Sequence, residues 1–142
     1  MYKEILLAVD LGHPDTQDRA VSTALEYCRA FGARLHVITV VPDFGMSIVG
    51  SFFPAGYEQQ ALEQARDALH AFTAARLPTD LKAQHIIGHG TIYQEILRSA
   101  EGVSADLIVM ASHRPGLEDY LLGPNAARVM RHASTSVLVV RD

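Results

Sequence analysis

A chain of 142 residues that is 49% hydrophobic and 20% charged has the make-up of an ordinary globular domain. It is long enough to bury roughly 68% of the surface its unfolded form exposes. Its net charge of −4 argues against nucleic acid or an anionic membrane as partner, since either asks for a basic face. No apolar run approaches the ~18 residues of a membrane span, and Met1-Tyr-Lys-Glu4 leads into a strand pattern with no signal-peptide layout. Cys28, the lone cysteine, has no internal disulfide partner and reads as a small buried residue on a helix rather than a catalytic thiol. One domain, 1–142, and a cytoplasmic address are expected.

In chain order, Glu4-Ile-Leu-Leu-Ala-Val9 is a near-continuous apolar run, as a central parallel strand buried on both faces should be. It ends at Asp10. After the turn Leu11–Asp15, Asp15 or Thr16 is placed to cap a helix running to Phe31. Ala20, Val21, Ala24, Leu25, Cys28 and Phe31 form its inner stripe, and Gly32 stops it. Leu35–Val41 is the second strand, broken by Pro42-Asp43. The stretch from Phe44 to Gly56 holds three glycines and a proline, but also Met46, Ile48, Val49, Phe52 and Phe53. So much apolar surface in a long loop predicts that it covers a neighbouring subunit or the mouth of a site. Tyr57–Arg76 is a helix with Ala61, Leu62, Ala65, Ala68, Leu69 and Phe72 inward, and Pro78 follows it. Lys82–Ile87 is a more polar strand suited to a sheet edge. Gly88-His-Gly90 then turns, and Thr91 caps a helix whose inner face is Ile92, Ile96, Leu97 and Ala100. Asp106–Met110 is the fourth strand. A polar loop through His113 and Arg114 turns at Gly123-Pro124 into a last helix, with Pro124 at the first helical position. Ser136–Arg141 is a fifth strand.

Alternation of strand and helix dictates a parallel, doubly wound α/β sheet with helices on both faces. The last strand is apolar on both faces and lies at an edge, which invites pairing with its copy in a second chain, so a homodimer through 136–141 is expected, with a tetramer also open.

Several chemistries fall away. No Gly-x-x-x-x-Gly-Lys-Ser/Thr is present. Gly88-His-Gly90 lacks the third glycine of a dinucleotide fingerprint, Tyr93 standing there. No serine occupies a Gly-x-Ser-x-Gly elbow. His85 and His89 lie roughly 13 Å apart along an extended chain, too far for one metal ion, and no metal site is expected. The acids and lysine of a phosphorelay receiver are missing from the strand ends. What remains is Asp10, at the end of the first strand, and the 111–126 segment, where a strand passes through a polar loop to a helix N-terminus. Free N–H groups and the positive end of a helix dipole bind anions at such a place. Asp10 either caps the turn before Gly12 or accepts from a ribose or base, and Arg114 is either a solvated charge or a phosphate neutraliser.

Ile5-Leu-Leu-Ala-Val-Asp10 at the front resembles the opening of the universal stress protein family. So does the back half, from Leu107-Ile-Val-Met-Ala-Ser-His-Arg114 through Leu121-Leu-Gly123 and Arg131-His-Ala133 to Val137-Leu-Val-Val-Arg141. Ala111-Ser-His-Arg-Pro115 followed by Tyr120-Leu-Leu-Gly-Pro-Asn-Ala126 is similar to the F/G-type branch of that family. The resemblance implies a five-stranded sheet in order 3-2-1-4-5 of the adenine nucleotide alpha hydrolase-like type, dimers through the fifth strand, and ATP binding in many members. The nucleotide-binding members carry Gly-x-x-Gly, nine residues, then Gly-Ser/Thr. Here Ala111 and Arg114 replace the first two glycines, eight residues separate Arg114 from Gly123, and Pro124 stands for the Ser/Thr. Pro124 removes an N–H and a hydroxyl. Loss of one hydrogen bond to a charged group weakens binding by about 10- to 150-fold, and Asn125, the Ala126 N–H and Arg114 offset part of that.

The resulting expectation is a stress protein that binds ATP, ADP or AMP as a regulatory ligand, with Mg2+ allowed beside the phosphates and slow or no hydrolysis. Adenine lies against Val40, near Ala8 and Val9. Asp10 faces the ribose or base. The phosphates lie on Met110, Ala111, Ser112, His113 and Arg114 and on Gly123, Pro124, Asn125 and Ala126. The rival is a dimeric stress module without nucleotide, acting through protein–protein contacts. A nucleotide hydrolase using His113 as acid or base is a third reading.

Overall fold

A computed structural model describes residues 1–42, 56–112 and 122–141, with Leu122 and Gly123 as backbone alone. Five strands, β1 (Glu4–Ala8), β2 (Arg34–Pro42), β3 (Ala83–Gly90), β4 (Leu107–Ser112) and β5 (Ser136–Arg141), alternate with helices α1 (Asp18–Phe31), α2 (Tyr57–Arg76), α3 (Ile92–Gly102) and α4 (Leu122–His132). All strand pairs are parallel and the order is β3-β2-β1-β4-β5. This is the expected α/β sheet, of the adenine nucleotide alpha hydrolase-like type, with β3 and β5 at its edges.

The alternation of side chains along β1 builds the two faces of the core. Ile5, Leu7 and Val9 point to one side, against Ala20, Ala24 and Cys28 of α1 and Leu69 and Phe72 of α2. Leu6 and Ala8 point to the other, against Ile96 and Ala100 of α3 and Ala126 and Val129 of α4. Cys28 is buried, and burial pushes its thiol up to about 11, so it is the inert core residue that its place in the helix predicts. Gly32 closes α1 in the left-handed conformation, φ 63°, where a side chain would be strained.

Five features depart from the sequence reading. A 3-10 turn, Pro14–Gln17, precedes α1, and neither Asp15 nor Thr16 caps it; the Thr16 hydroxyl instead donates to the His13 carbonyl at 2.7 Å. Phe31 is 38% exposed, packed edge-on against Tyr2 and Tyr27 at the end of its helix rather than in the core. β3 does not turn at Gly88 but stays in register with β2 to Pro42↔Gly90. Gly88 is there because α3 comes close: a Cβ would lie 3.2 Å from that of Glu95 and 3.3 Å from a Val40 methyl. Thr91 precedes α3 without a side-chain capping bond. Last, α4 begins at Leu122, so Pro124 is its third residue, still within the first turn, where an N–H has no partner in the helix. The apolar stretch 44–56, apart from Gly56, lies outside the described residues.

Candidate functional site

The central strand stops short of its neighbours. β1 pairs with β2 as far as Ala8↔Ile38 and with β4 as far as Ala8↔Met110. β2 continues to Pro42 in register with β3, and β4 to Ser112 in register with β5. The consequence is a notch over the C-terminal end of β1, at the point where strand order reverses. In open α/β sheets, ligands bind in that crevice. The end of β1 is sealed by β2: Val9 N–H donates to Ile38 C=O at 2.9 Å and the Thr39 hydroxyl donates to Val9 C=O at 3.1 Å.

A cleft of about 380 Å³ fills the notch, within the range that takes a small organic ligand. Its floor is Ala8, Val9 and Asp10 with the following turn. The end of β2 from Ile38 to Pro42 lines it too, together with the face of α2 carrying Ala61, Gln64, Ala65 and Ala68 and, from the helix layer on the opposite face of the sheet, Ile92 and Ile96 of α3. These α2 alanines were expected in the core. Only Leu69, Phe72 and Thr73 of the helix are buried; Ala61, Ala65 and Ala68 line the cleft instead.

Asp10 organises the turn at the floor. Gly12 N–H donates to its Oδ1 at 2.9 Å, His13 Nδ1 lies 3.1 Å from Oδ2, and its own N–H donates to Gln17 Oε1 at 3.2 Å. The carboxylate has no solvent exposure, so it does cap the turn before Gly12. Two ties fix the α2 wall to edge strand β3. His89 Nδ1 meets Glu58 Oε1 at 2.9 Å at the start of the helix. Further along, His85 Nε2 lies 2.7 Å from the Thr73 hydroxyl while its ring stacks on His70 at 3.9 Å.

Of the residues singled out in the sequence, Ala8, Val9, Asp10 and Val40 meet at this cleft. Met110 and Ala111 do not line it, since their side chains are shut in the core on opposite faces of β4. Ser112 ends β4 beside Arg141. In α4, Pro124 is exposed, Asn125 half-buried and Ala126 packed in the core, while Gly123 belongs to the first turn. His113 and Arg114 lie outside the described residues. The α2 wall was missed, because alanines at helical spacing look alike whether they face a core or a cavity. Among the described residues no three His, Cys, Asp or Glu side chains converge as a metal site would need, and no described helix is long and apolar enough to cross a membrane.

Solved structures share this architecture over the whole chain. Hypothetical protein MJ0577 superposes with a TM-score of 0.72 at 25% identity, covering 100% of this chain and 97% of that one. A universal stress protein in complex with cAMP gives 0.57 at 24%, covering 99% and 97%, and the universal stress protein from Archaeoglobus fulgidus in complex with dAMP gives 0.58 at 19%, covering 97% of each. In sequence, universal stress protein G of Shigella flexneri is 32% identical over 147 aligned positions, spanning 99% of this chain and 100% of that protein. The universal stress protein family model matches residues 1–141. With the strand order, the notch at the reversal point and the full-length match in agreement, the chain belongs to the universal stress protein family.

Proposed function

We propose that this protein binds an adenine nucleotide, ATP foremost, in the notch above β1, and that the bound nucleotide is a regulatory signal in a cytoplasmic stress response rather than a substrate. The observation that carries this reading is the early end of β1 between two longer neighbours, which opens a cleft of nucleoside size beside the main chain of Val40. Two relatives of the same fold were solved with cAMP and with dAMP, which supports an adenine nucleotide as the ligand class. Adenine packs between the apolar ends of β1 and β2 and takes main-chain hydrogen bonds from Val40. Asp10 accepts from the ribose hydroxyls, its contact with His13 giving way as the sugar enters. The phosphates extend toward the β4–α4 connection, where Arg114 and His113 neutralise charge and the first turn of α4 offers the N–H groups of Leu122 and Gly123. Mg2+ accompanies the phosphates.

Calorimetric titration with ATP tests this. Saturable binding is the expected result. No uptake of ATP, ADP or AMP at millimolar concentration would leave the rival reading, a dimeric stress module acting through protein contacts. The locked state of the Asp10 carboxylate is the feature that favours that rival.

A further inference from the structure

The α2 wall of the cleft, Ala61, Gln64, Ala65 and Ala68, follows the i, i+3, i+4, i+7 spacing of a single helix face. Three of these side chains end at Cβ. Gln64 therefore supplies the only hydrogen-bonding side chain on that wall, and its amide bonds to no other described residue. The small neighbours leave room in front of it. The helix beneath it is held on both sides, by Glu58–His89 before and Thr73–His85 after, so the amide is carried on a fixed backbone. That limits the ordering cost of using it.

Across the same cleft runs the end of β2, whose main chain at Val40 lies beyond the last β1 residue in register. A purine seated there presents one edge to Val40 and a neighbouring edge to α2. A glutamine amide sets an acceptor beside a donor, which matches the N6 amino group and N7 of adenine as a bidentate pair; guanine shows two acceptors, N7 and O6, at the same place. We propose that Gln64 is the base-reading residue of the cleft: its Oε1 accepts from N6 and its Nε2 donates to N7, so that adenine is selected over guanine. The inference rests on the nucleotide reading above and adds to it the group that makes the choice of base.

The test compares ATP with 7-deaza-ATP, in which CH replaces N7, on the wild-type protein and on Gln64→Leu, by calorimetry. Leucine keeps the bulk and the helix propensity of the exposed position, and a circular dichroism melt checks that the variant folds. The expected result is that the wild type binds ATP about tenfold more tightly than 7-deaza-ATP, and that Gln64→Leu binds both equally, near the weaker value. GTP should trail ATP on the wild type and by a smaller margin on the variant, the Val40 main chain keeping the remainder of the preference. Equal binding of the two adenine ligands by the wild type, or an N7 preference that survives in Gln64→Leu, overturns the role of Gln64 while leaving the cleft as a nucleotide site. A wild type that takes up neither ligand overturns both.

Discussion

Asp10 holds its own turn together, with Gly12 N–H and His13 Nδ1 both on a carboxylate that has no solvent exposure. Removing it as Asp10→Ala leaves the Gly12 N–H without its acceptor, at a cost of about 1–3 kcal/mol, and takes away any ribose contact as well. Asp10→Asn separates the two roles. Its amide oxygen can still receive the Gly12 N–H, so a urea midpoint should stay close to wild type, whereas ATP affinity should fall about tenfold as a charged acceptor becomes a neutral one. Wild-type affinity in Asp10→Asn would reduce Asp10 to a turn former. Pro124 is the second informative residue. Serine there restores an N–H and a hydroxyl in the first turn of α4, and Pro124→Ser should tighten ATP binding by about tenfold or more. Unchanged calorimetric affinity would mean that the phosphates lie elsewhere.

At the scale of elements, α2 is the piece whose role exceeds its sequence pattern. Its span, Tyr57–Arg76, and that of β5 were legible to the residue, because helical periodicity and an unbroken branched run are strong local signals. What the α2 residues face was not legible: Ala61 and Ala65 would look the same under Leu69 in the core as they do beside the cleft. Gly88 misled for a related reason, since glycine signals a turn from sequence and only the approach of Glu95 shows it to be a spacer within a strand. Asp10 was legible as the end of β1, where a buried strand must stop, and Val40 through the family resemblance, and both line the cleft, while the Thr39 hydroxyl seal depends on the register between β1 and β2. The α2–β3 contact also carries a pH dependence. Burial pushes His85 below the ordinary imidazole range, and the neighbouring His70 pushes in the same direction. The unfolded chain, protonating this ring near 6.5, then binds the proton more readily than the folded one, so stability rises with pH across the window between the two values. The contribution is complete above about pH 6.5 and is lost as pH falls toward the folded-state value. Urea midpoints at about pH 7.5 and pH 5.5 should show this loss in the wild type and a smaller one in His85→Gln. Equal losses would place the acid sensitivity elsewhere.

At the scale of the whole molecule, the two sheet edges are unequal. β3 carries Gly88, Gly90 and three polar side chains, Gln84, His85 and His89, and is braced by α2. β5 carries Val137-Leu-Val-Val140, each only half-buried, with β4 on one side and no described strand on the other. An unpaired apolar edge tends to be covered or to pair with another chain, and the arrangement that closes without leaving a further edge is a two-fold pair of β5 strands. We therefore expect a homodimer through β5. The measurement is mass in solution by light scattering, and the expected value is twice the 15.5 kDa of one chain. Val139→Lys should shift that mass toward one chain. A lysine stem can lie along the half-buried position with its charge in water when the chain is alone, but two-fold pairing sets two such charges close together, where like charges on paired strands are destabilising. Raising the salt should restore part of the dimer in the variant by screening. A wild type that runs at 15.5 kDa, or a Val139→Lys protein that stays at the doubled mass, would show that β5 is not the dimer contact, and the apolar stretch 44–56 would then be the next segment to test.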